Sequence, residues 1–311
     1  MKTLLLAFSA ILITFHFNML QGQNIAEQLG YQKDAKLLII HADDLGVAHS
    51  ENRASMHGLA HTPVNSASIM VPCPWFPEIA GYAKKNDSFD LGVHLTLNSE
   101  WSFYKWGPVT AKDSVYSLVD ANGYFFDNIP EVVQKGNPKH VKLELENQIK
   151  MALHNGIDVT HLDTHMGTAV ATKEFLKHYI ELGNQYELPV LLTGDPRLTK
   201  DEEIKALVET GNQVIVDNLY SAYPEHFKTG MSDFYTKILK ELQPGLSTIL
   251  IHLAYDDDEM KAVTKGKIDW GAAWRQADLD FFSSPECQQL ITEHDIVLVT
   301  WREVRDKIVR Q

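Results

Sequence analysis

The chain has 311 residues, of which 44% are hydrophobic and 22% are charged, and its formal net charge is −13 at pH 7. This composition excludes a disordered chain and indicates a globular protein with one large domain or two small ones. The acidic balance argues against nucleic acid as a partner, because a protein that binds a polyanion needs a basic face. Cys73 and Cys287 are too few for a disulfide framework, so we expect small core or loop residues.

The first residues have the layout of a secretory signal peptide. Lys2 precedes a short apolar run that ends in small or polar residues near Gly22. The run is too short to span a bilayer comfortably, although an uncleaved signal anchor is the alternative. We therefore expect residues 1–22 to be removed and residues 23–311 to form a single periplasmic or secreted domain without stable membrane insertion. The oligomeric state is left open, with a homodimer as one option.

After the leader, about eight β-rich apolar runs alternate with amphipathic helical patterns. The runs begin at Leu37, Val64, Leu91, Ile157, Leu188, Asn212, Ser247 and Asp295. Repeated strand–helix units predict an α/β fold with a parallel sheet, and eight of them favour a closed or nearly closed (β/α) barrel of the TIM type. A doubly wound open sheet is the alternative. The aromatic-rich segment 101–137 predicts a long insertion over the active face, which lies at the C-terminal ends of the strands.

The first apolar run leads directly into two adjacent aspartates, Asp43 and Asp44. Two carboxylates at the mouth of an apolar strand repel each other and lose solvation. They persist most easily when a cation, a shared proton or deep exposure relieves them. The pair therefore indicates a functional site.

Other strands add histidines and a further carboxylate. In the fourth run His161, Asp163 and His165 are spaced by two, which places all three on one face of an extended strand. His94 interrupts the third run, and His252 ends the run that begins at Ser247. A single histidine in a strand is more often a hydrogen-bonded structural residue, but the combined set is that of a zinc or similar divalent-metal hydrolase.

The motifs HADDLG, GVHLTLN and THLDTH, followed by the late strand histidine, resemble the YdjC-like carbohydrate deacetylase family, which includes chitooligosaccharide deacetylases. The resemblance extends from about Leu37 to Val304. It implies a distorted (β/α) barrel with one divalent metal and removal of acetyl groups from N-acetylglucosamine-containing sugars. Residue by residue, it implies that the metal ligands are Asp44, His94 and His165, that the catalytic base is Asp43, and that the acid is His252.

The chemistry of the residues agrees with these roles. One aspartate and two imidazoles leave open positions on a metal for water and a carbonyl oxygen. His161 and Asp163 are then expected to orient ligands from behind. His41 replaces the family's usual asparagine and lies where it could support the site or touch the substrate, and the family's histidine-rich continuation after His165 is replaced by MGTAV. Chitobiose specificity therefore does not follow from the resemblance.

The sequence thus predicts a deacetylase that acts on an acetylated amino sugar or oligosaccharide through water activated by one divalent metal. Zinc is favoured, with magnesium or nickel as alternatives. A second hypothesis is a metal-dependent barrel hydrolase of another amide or a phosphoester. A third is a non-catalytic sugar-binding protein. Its stacking surfaces, which are as easily core residues, would be Trp75, Trp101, Trp106 and Trp270. The acidic run Asp256–Glu259 is most simply a solvated loop.

Overall fold

The computed structural model describes residues 24–311 of the chain. The predicted signal peptide, residues 1–22, lies outside the described residues and stays a prediction. Within residues 24–311, no helix combines the length and the apolar character needed to cross a lipid bilayer. Cys73 and Cys287 are both buried and free, as expected for small core residues.

Seven parallel strands form one sheet in the described part of the chain. They are Lys36–Leu45 (β1), Ser66–Ile69 (β2), Leu91–Leu95 (β3), Val159–Thr164 (β4), Asn218–Ser221 (β5), Gly245–Ile251 (β6) and Ile296–Leu298 (β7). Neighbouring strands follow the order β4-β3-β2-β1-β6-β5, and β7 pairs with the beginning of β1. Sequence neighbours therefore lie side by side on both sides of β1, which is the order around a barrel.

The sheet is not closed by continuous strands, because the predicted strand from Leu188 is reduced to two isolated parallel bridges. These bridges are Leu162–Val190 and Leu192–Ile215. Pro189 has no N–H to donate toward β4, and the Val190 N–H binds the side chain of Gln213 at 2.9 Å. The bridges still continue the parallel order from β4 to β5, so the predicted distorted barrel is confirmed, with a gap at this point.

The predicted strand from Asn212 also starts later than expected. Val214 and Val216 are buried, as the apolar pattern indicated, but they belong to no named strand. The side chain of Asp217 accepts a hydrogen bond from the Leu246 N–H at 2.8 Å, which occupies a donor of β6. Regular pairing with β6 therefore begins only at Asn218.

Helices surround the sheet, and the longest of them begin at capping side chains. The helices are Ile25–Leu29 (α1), His49–His61 (α2), Phe76–Ala83 (α3), Ile129–Lys135 (α4), Pro138–His154 (α5), Lys173–Tyr186 (α6), Arg197–Lys200 (α7), Glu202–Thr210 (α8), Pro224–Thr229 (α9), Met231–Glu241 (α10), Asp258–Val263 (α11), Ala272–Phe282 (α12), Pro285–Glu293 (α13) and Trp301–Val304 (α14). Asn137 accepts the Lys139 N–H at the start of α5, and Thr172 accepts the Phe175 N–H at the start of α6. Such caps satisfy N–H groups that have no partner within the helix.

The face of β1 that carries the polar site residues is apolar at its beginning. Leu37 and Ile39 belong to a small apolar cluster that also contains Trp301. Because residues two apart share a face of a strand, His41 and Asp43 continue the face of Leu37 and Ile39. The apolar layer therefore gives way to a polar layer at the C-terminal end of the strand, where reactive groups of a barrel are expected.

Gly92 of β3 provides a test of the packing beneath this polar layer. A Cβ atom at Gly92 would lie 2.4 Å from the ring of His161 in β4. Gly92→Ala should therefore lower the free energy of unfolding by about 1–3 kcal/mol, the usual cost of overpacking. Gly81→Ala in α3 is the matched control, because no atom lies within 4 Å of the added Cβ, and it should be neutral or stabilising. Urea unfolding of both variants measures the difference, and equal stabilities would contradict the tight contact.

Candidate functional site

Five predicted site residues meet at the C-terminal ends of four strands. Asp43 and Asp44 lie near the end of β1, His94 lies in β3, His165 follows β4 and His252 follows β6. The side chains of the first four are at most 7% exposed, whereas that of His252 is 17% exposed. The folded chain therefore brings together the residues that the sequence singled out, with His252 nearest to solvent.

Asp43 and Asp44 both face this centre because β1 is distorted between them. In a regular strand, adjacent side chains point to opposite faces. Asp44 has a φ of 69°, and the register of β1 against β2 shifts between Ala42 and Leu45. This left-handed conformation is strained for a residue other than glycine, and such strain is concentrated at functional sites. It allows two consecutive carboxylates to approach the same histidines.

Asp44, His94 and His165 place three potential ligand atoms in a compact triangle. Oδ1 of Asp44 lies 3.4 Å from Nε2 of His94 and 3.3 Å from Nδ1 of His165. The two nitrogen atoms are 3.3 Å apart. A tetrahedral zinc ion, with ligand bonds of about 2.0–2.1 Å, separates its ligand atoms by about 3.3–3.4 Å. The three side chains therefore have the spacing that a small divalent metal requires.

The hydrogen bonding of Asp44 also fits a metal. Its Oδ1 atom is buried and has no hydrogen-bond partner, although its Oδ2 atom accepts a hydrogen bond from Arg275 at 2.8 Å. A buried carboxylate oxygen without a partner is costly unless a cation binds it. The oxygen that lacks a hydrogen-bond partner is the one that faces His94 and His165, which is where the metal would be held.

Two carboxylates orient the histidines from behind. Nδ1 of His94 lies 3.0 Å from Oδ2 of Asp163, and Nε2 of His165 lies 3.0 Å from Oε2 of Glu100. Each outer nitrogen can donate its proton to a carboxylate, which leaves the inner nitrogen available as a ligand. Burial opposes a charge on His165, but Glu100 and Asp44 outweigh it and raise its pKa to about 9. Metal binding would therefore release a proton from this imidazole.

His41 connects Asp163 to Asp43 and has a supporting position. Its Nε2 atom lies 3.1 Å from Oδ1 of Asp43 and 3.2 Å from Oδ2 of Asp163, and its Nδ1 atom lies 2.9 Å from the Ser66 hydroxyl. Burial opposes its protonation, but Asp163 and Asp43 together raise its pKa to about 9. His41 is only 1% exposed. It therefore restrains the Asp43 carboxylate from within the barrel and cannot contact a substrate.

His161 lies outside the triangle of Asp44, His94 and His165. Its ring is 4.9 Å from the ring of His41 and 5.5 Å from that of Trp301, measured between centroids. Complete burial, reinforced by the positive charge of His41, holds the pKa of His161 well below its ordinary value. His161 is therefore a neutral packing residue beneath His41, whereas Asp163 directly contacts His94.

The sequence reasoning missed three charged residues at this site: Glu51 and Arg275, which are buried, and Glu100, which is partly buried. Glu100 has a weak signal, because it follows the strand that contains His94 by a few residues. Arg275 has no signal in the sequence, because it lies 231 residues from Asp44 in the chain. It contacts Asp44 only because α12 packs beside the site. Its guanidinium donates to Asp44 and also contacts Glu51 of α2.

A single guanidinium thus serves two carboxylates that differ in their proton affinity. Burial raises the pKa of Asp44, but Arg275 and the two neighbouring histidines outweigh it and hold that pKa well below its ordinary value. Burial raises the pKa of Glu51 well above its ordinary value, and repulsion from Asp44 opposes the attraction of Arg275. Glu51 therefore retains its proton more readily, and the charge of Arg275 is balanced chiefly by Asp44.

The first part of the long insertion covers the site, as predicted for segment 101–137. The Trp101 ring lies 5.5 Å from the guanidinium carbon of Arg275, and the Trp106 ring lies 6.2 Å from the ring of His165. Both indoles are buried. They therefore exclude water from the buried ion pairs and are not available as surfaces for a sugar.

The acidic run Asp256–Glu259 is not simply a solvated loop. Glu259 accepts hydrogen bonds from the backbone N–H groups of His49 and Ser50 at 3.2 and 2.7 Å. Asp257 accepts one from the Ser50 hydroxyl at 2.5 Å. These donors begin α2, where carboxylates are stabilised by unpaired N–H groups and the helix dipole. The run therefore fastens the loop after β6 to the helix that carries Glu51.

Glu51→Gln should make the stability of the protein less sensitive to pH. Because burial raises the pKa of Glu51, the wild-type protein should lose stability as pH rises from the ordinary value of 4.5 toward the raised value. Glutamine cannot ionise, so the melting temperature of the variant minus that of the wild type should increase as the pH rises above the ordinary glutamate pKa of 4.5. Circular dichroism at several pH values measures this difference.

Arg275→Gln is the contrasting variant for the same experiment. It leaves Asp44 as an uncompensated buried charge and should lower the free energy of unfolding by about 3–5 kcal/mol. A melting-temperature difference for Glu51→Gln that stays constant or decreases with pH would contradict the proton assignment of Glu51.

Comparisons with known proteins agree with this architecture. The sequence profile of the YdjC-like protein family matches residues 37–293. The chain is 33% identical over 293 residues to a carbohydrate deacetylase of Thermus thermophilus, covering 92% of this chain and 99% of that protein. It is 28% identical over 267 residues to a carbohydrate deacetylase of Thermoanaerobacter pseudethanolicus, covering 86% of this chain and 98% of that protein.

A solved structure supports the same fold. A crystal structure from Enterococcus faecalis, described as that of a candidate cellobiose-phosphate cleavage protein, has a TM-score of 0.71 at 23% identity and covers 87% of this chain and 99% of its own. At this identity the likeness concerns the fold alone. The sequence match over residues 37–293 and the 33% identity to a full-length relative show that the chain belongs to the YdjC-like protein family.

Proposed function

We propose that this protein is a metal-dependent hydrolase that removes an acetyl group from an N-acetylated amino sugar or oligosaccharide. The observation that carries the proposal is the triangle of Asp44, His94 and His165, with Asp43 beside it. Two relatives named carbohydrate deacetylase match this chain over 98% and 99% of their lengths, which supports a carbohydrate substrate. A non-catalytic sugar-binding protein would gain nothing from a second carboxylate next to the ligand set.

Asp44, His94 and His165 would hold one divalent metal through a carboxylate oxygen and two imidazole nitrogens. Zinc suits this ligand set best, and magnesium and nickel are the alternatives. When bound, the metal would activate water as a nucleophile and stabilise the negative charge that develops on the acetyl oxygen. Asp163 and Glu100 would keep the two imidazoles in the required tautomers.

Asp43 is the proposed base that accepts a proton from the attacking water. His41 holds its Oδ1 atom at 3.1 Å, and its Oδ2 atom lies 4.0 Å from Nε2 of His252. As water attacks the amide carbon and the C–N bond breaks, the departing amine must receive a proton. The base and the residue that protonates the amine must therefore exchange or share one proton.

His252 is the proposed acid that gives this proton to the amine. Burial lowers its pKa to about 4, so the imidazole is neutral at pH 7 before the reaction begins. The proton must then reach His252 during the reaction, and Asp43 is the neighbour that has just gained one. The separation of 4.0 Å would have to shorten when substrate binds, as catalytic hydrogen bonds commonly do. The path from water through Asp43 and His252 to the amine conserves the proton.

Asp44→Asn, His94→Ala and His165→Ala should each strongly lower the metal content, because each removes one of the three ligands. Elemental analysis by mass spectrometry should find about one divalent ion per wild-type chain. His154→Ala, an exposed histidine at the end of α5, is the matched control and should keep its metal. Full occupancy in all three variants would show that the metal site is wrongly assigned.

Acetate release from a panel of acetylated sugars then separates the three functional hypotheses. A metal-containing protein that releases acetate supports the deacetylase. A metal-containing protein that releases none, but cleaves another amide or a phosphoester, would favour the other hydrolase. Sugar binding without metal or turnover would favour the non-catalytic protein.

Asp43→Asn should retain the metal and lose kcat by about a hundredfold or more, the usual effect of removing a general base. His252→Ala should also lose kcat while keeping its metal content and melting temperature, because the residue acts on the proton and does not support the fold. Steady-state acetate release, elemental analysis and thermal unfolding of both variants provide the measurements. An unchanged kcat in a well-folded His252→Ala protein would remove the acid role and leave the metal site intact.

A further inference from the structure

His252, the proposed acid, is held through its backbone. The closest oxygens of Asp43 and Asp44 lie 4.0 and 3.9 Å from its Nε2 atom, which is beyond hydrogen-bond distance. The regular pairing of β6 ends before His252, at Ile251 toward β1 and at Leu250 toward β5. The N–H group of His252 therefore needs a partner outside the sheet.

Asp278 of α12 supplies this partner. Its Oδ2 atom accepts a hydrogen bond from the His252 N–H at 3.0 Å, and its Oδ1 atom accepts one from the Tyr235 hydroxyl of α10 at 2.6 Å. Asp278 and Tyr235 are both 0% exposed, so the two hydrogen bonds are shielded from water. Together they hold the carboxylate in one orientation, with one oxygen directed at the backbone of His252.

The buried position of Asp278 is costly for a carboxylate. Burial raises the pKa of Asp278 to about 7, although the hydrogen bonds from Tyr235 and from the His252 N–H favour the charged form. Replacing buried polar partners by apolar groups of similar shape is often neutral or stabilising. The stability of the fold alone therefore does not call for a carboxylate here, and the segment that it orders is the one that carries the proposed acid.

The same helix also binds the other side of the site. Arg275 precedes Asp278 by three residues, so both side chains lie on one face of α12. Arg275 donates to Oδ2 of Asp44 at 2.8 Å. One helix thus binds the end of β1 through Arg275 and the residue after β6 through Asp278. Its rigidity therefore sets the separation between His252 and the two carboxylates at the end of β1.

We propose that Asp278 is a positioning residue for the reaction, because its carboxylate holds the backbone of His252 where the imidazole can exchange a proton with Asp43 and the departing amine. Tyr235 supports this role by fixing the carboxylate. The inference rests on the proposed function, since it takes His252 as the acid. Asp278 acts through the backbone of His252 and not on the reacting atoms.

The test measures acetate release by the full chain and its variants with metal supplied. Asp278→Ala should lower kcat by about ten- to a hundredfold and leave KM and the metal content unchanged, because a misplaced acid affects the transition state and not substrate binding. Asp278→Asn should recover most of the loss, since its amide oxygen can accept the His252 N–H while its amide nitrogen donates to the Tyr235 oxygen. Tyr235→Phe should give an intermediate loss, and it carries the same comparison if Asp278→Ala does not fold.

Asp90→Ala is the matched control. Asp90 is also buried, at 3% exposed, and it also accepts backbone N–H groups, those of Trp301 and Arg302 at 3.0 and 2.8 Å. It directly precedes β3 and lies at the opposite end of the barrel from His252. Asp90→Ala should lower the melting temperature but leave the kcat of the folded protein unchanged. A normal kcat in Asp278→Ala, or an equal loss in Asp90→Ala, would overturn the positioning role.

A double-mutant cycle with His252→Ala distinguishes positioning from a general structural role. If Asp278 acts through His252, Asp278→Ala should cause no further loss of kcat in the His252→Ala background, whereas the factors of independent residues multiply. The same loss of kcat in both backgrounds would contradict the inference.

Hydrogen–deuterium exchange separates this inference from the proposed reaction. The His252 N–H should exchange about tenfold faster or more in Asp278→Ala than in the wild type, and at the wild-type rate in Asp90→Ala, because only the first variant removes its acceptor. If this difference is found but the wild type releases no acetate, Asp278 holds His252 and the proposed reaction is wrong. If the wild type releases acetate but the exchange rate of His252 does not change, the reaction stands and the positioning role is wrong.

Discussion

The backbone conformation of Asp44 decides where the carboxylates at the end of β1 can act. Its φ of 69° departs from the strand, and Arg275 holds the resulting position by binding Oδ2 at 2.8 Å. The other oxygen then faces His94 and His165 without a hydrogen-bond partner. The strain is therefore compensated by an ion pair from a distant helix, and the orphaned oxygen is the feature that makes the site suitable for a cation.

Charge balance explains why so many ionisable groups can be buried together. Asp44 is paired with Arg275, while Asp43 and Asp163 share His41. Burial would otherwise neutralise these groups or unfold the protein. Each of these three carboxylates therefore has a partner on one oxygen, and the Oδ1 atom of Asp44, which has none, is the oxygen that faces two imidazole nitrogens.

The sequence predicted the site residues that lie on strands or directly follow them, and missed those that belong to helices and to the long insertion. Asp43, Asp44, His94 and His165 were recognisable because polar residues interrupt apolar runs at strand ends, a pattern that depends only on local spacing. Arg275 was not, because its contact with Asp44 depends on how α12 packs. Likewise, the strand expected from Leu188 was weakened by Pro189 and by the side chain of Gln213. Tertiary contacts of this kind leave no periodic signal.

The departure of His41 from the asparagine usual in the family affects the support of Asp43 and not the exposed surface of the site. At this position the ring is 1% exposed and lies between Asp43 and Asp163, so it cannot distinguish one sugar from another. The side chain of the site that lies nearest to solvent is His252, which is 17% exposed. The buried charge pairs around Asp44 and the surface above them are therefore separate layers of the barrel. A substitution in the exposed layer can change the surface without disturbing the buried ion pair of Asp44 with Arg275.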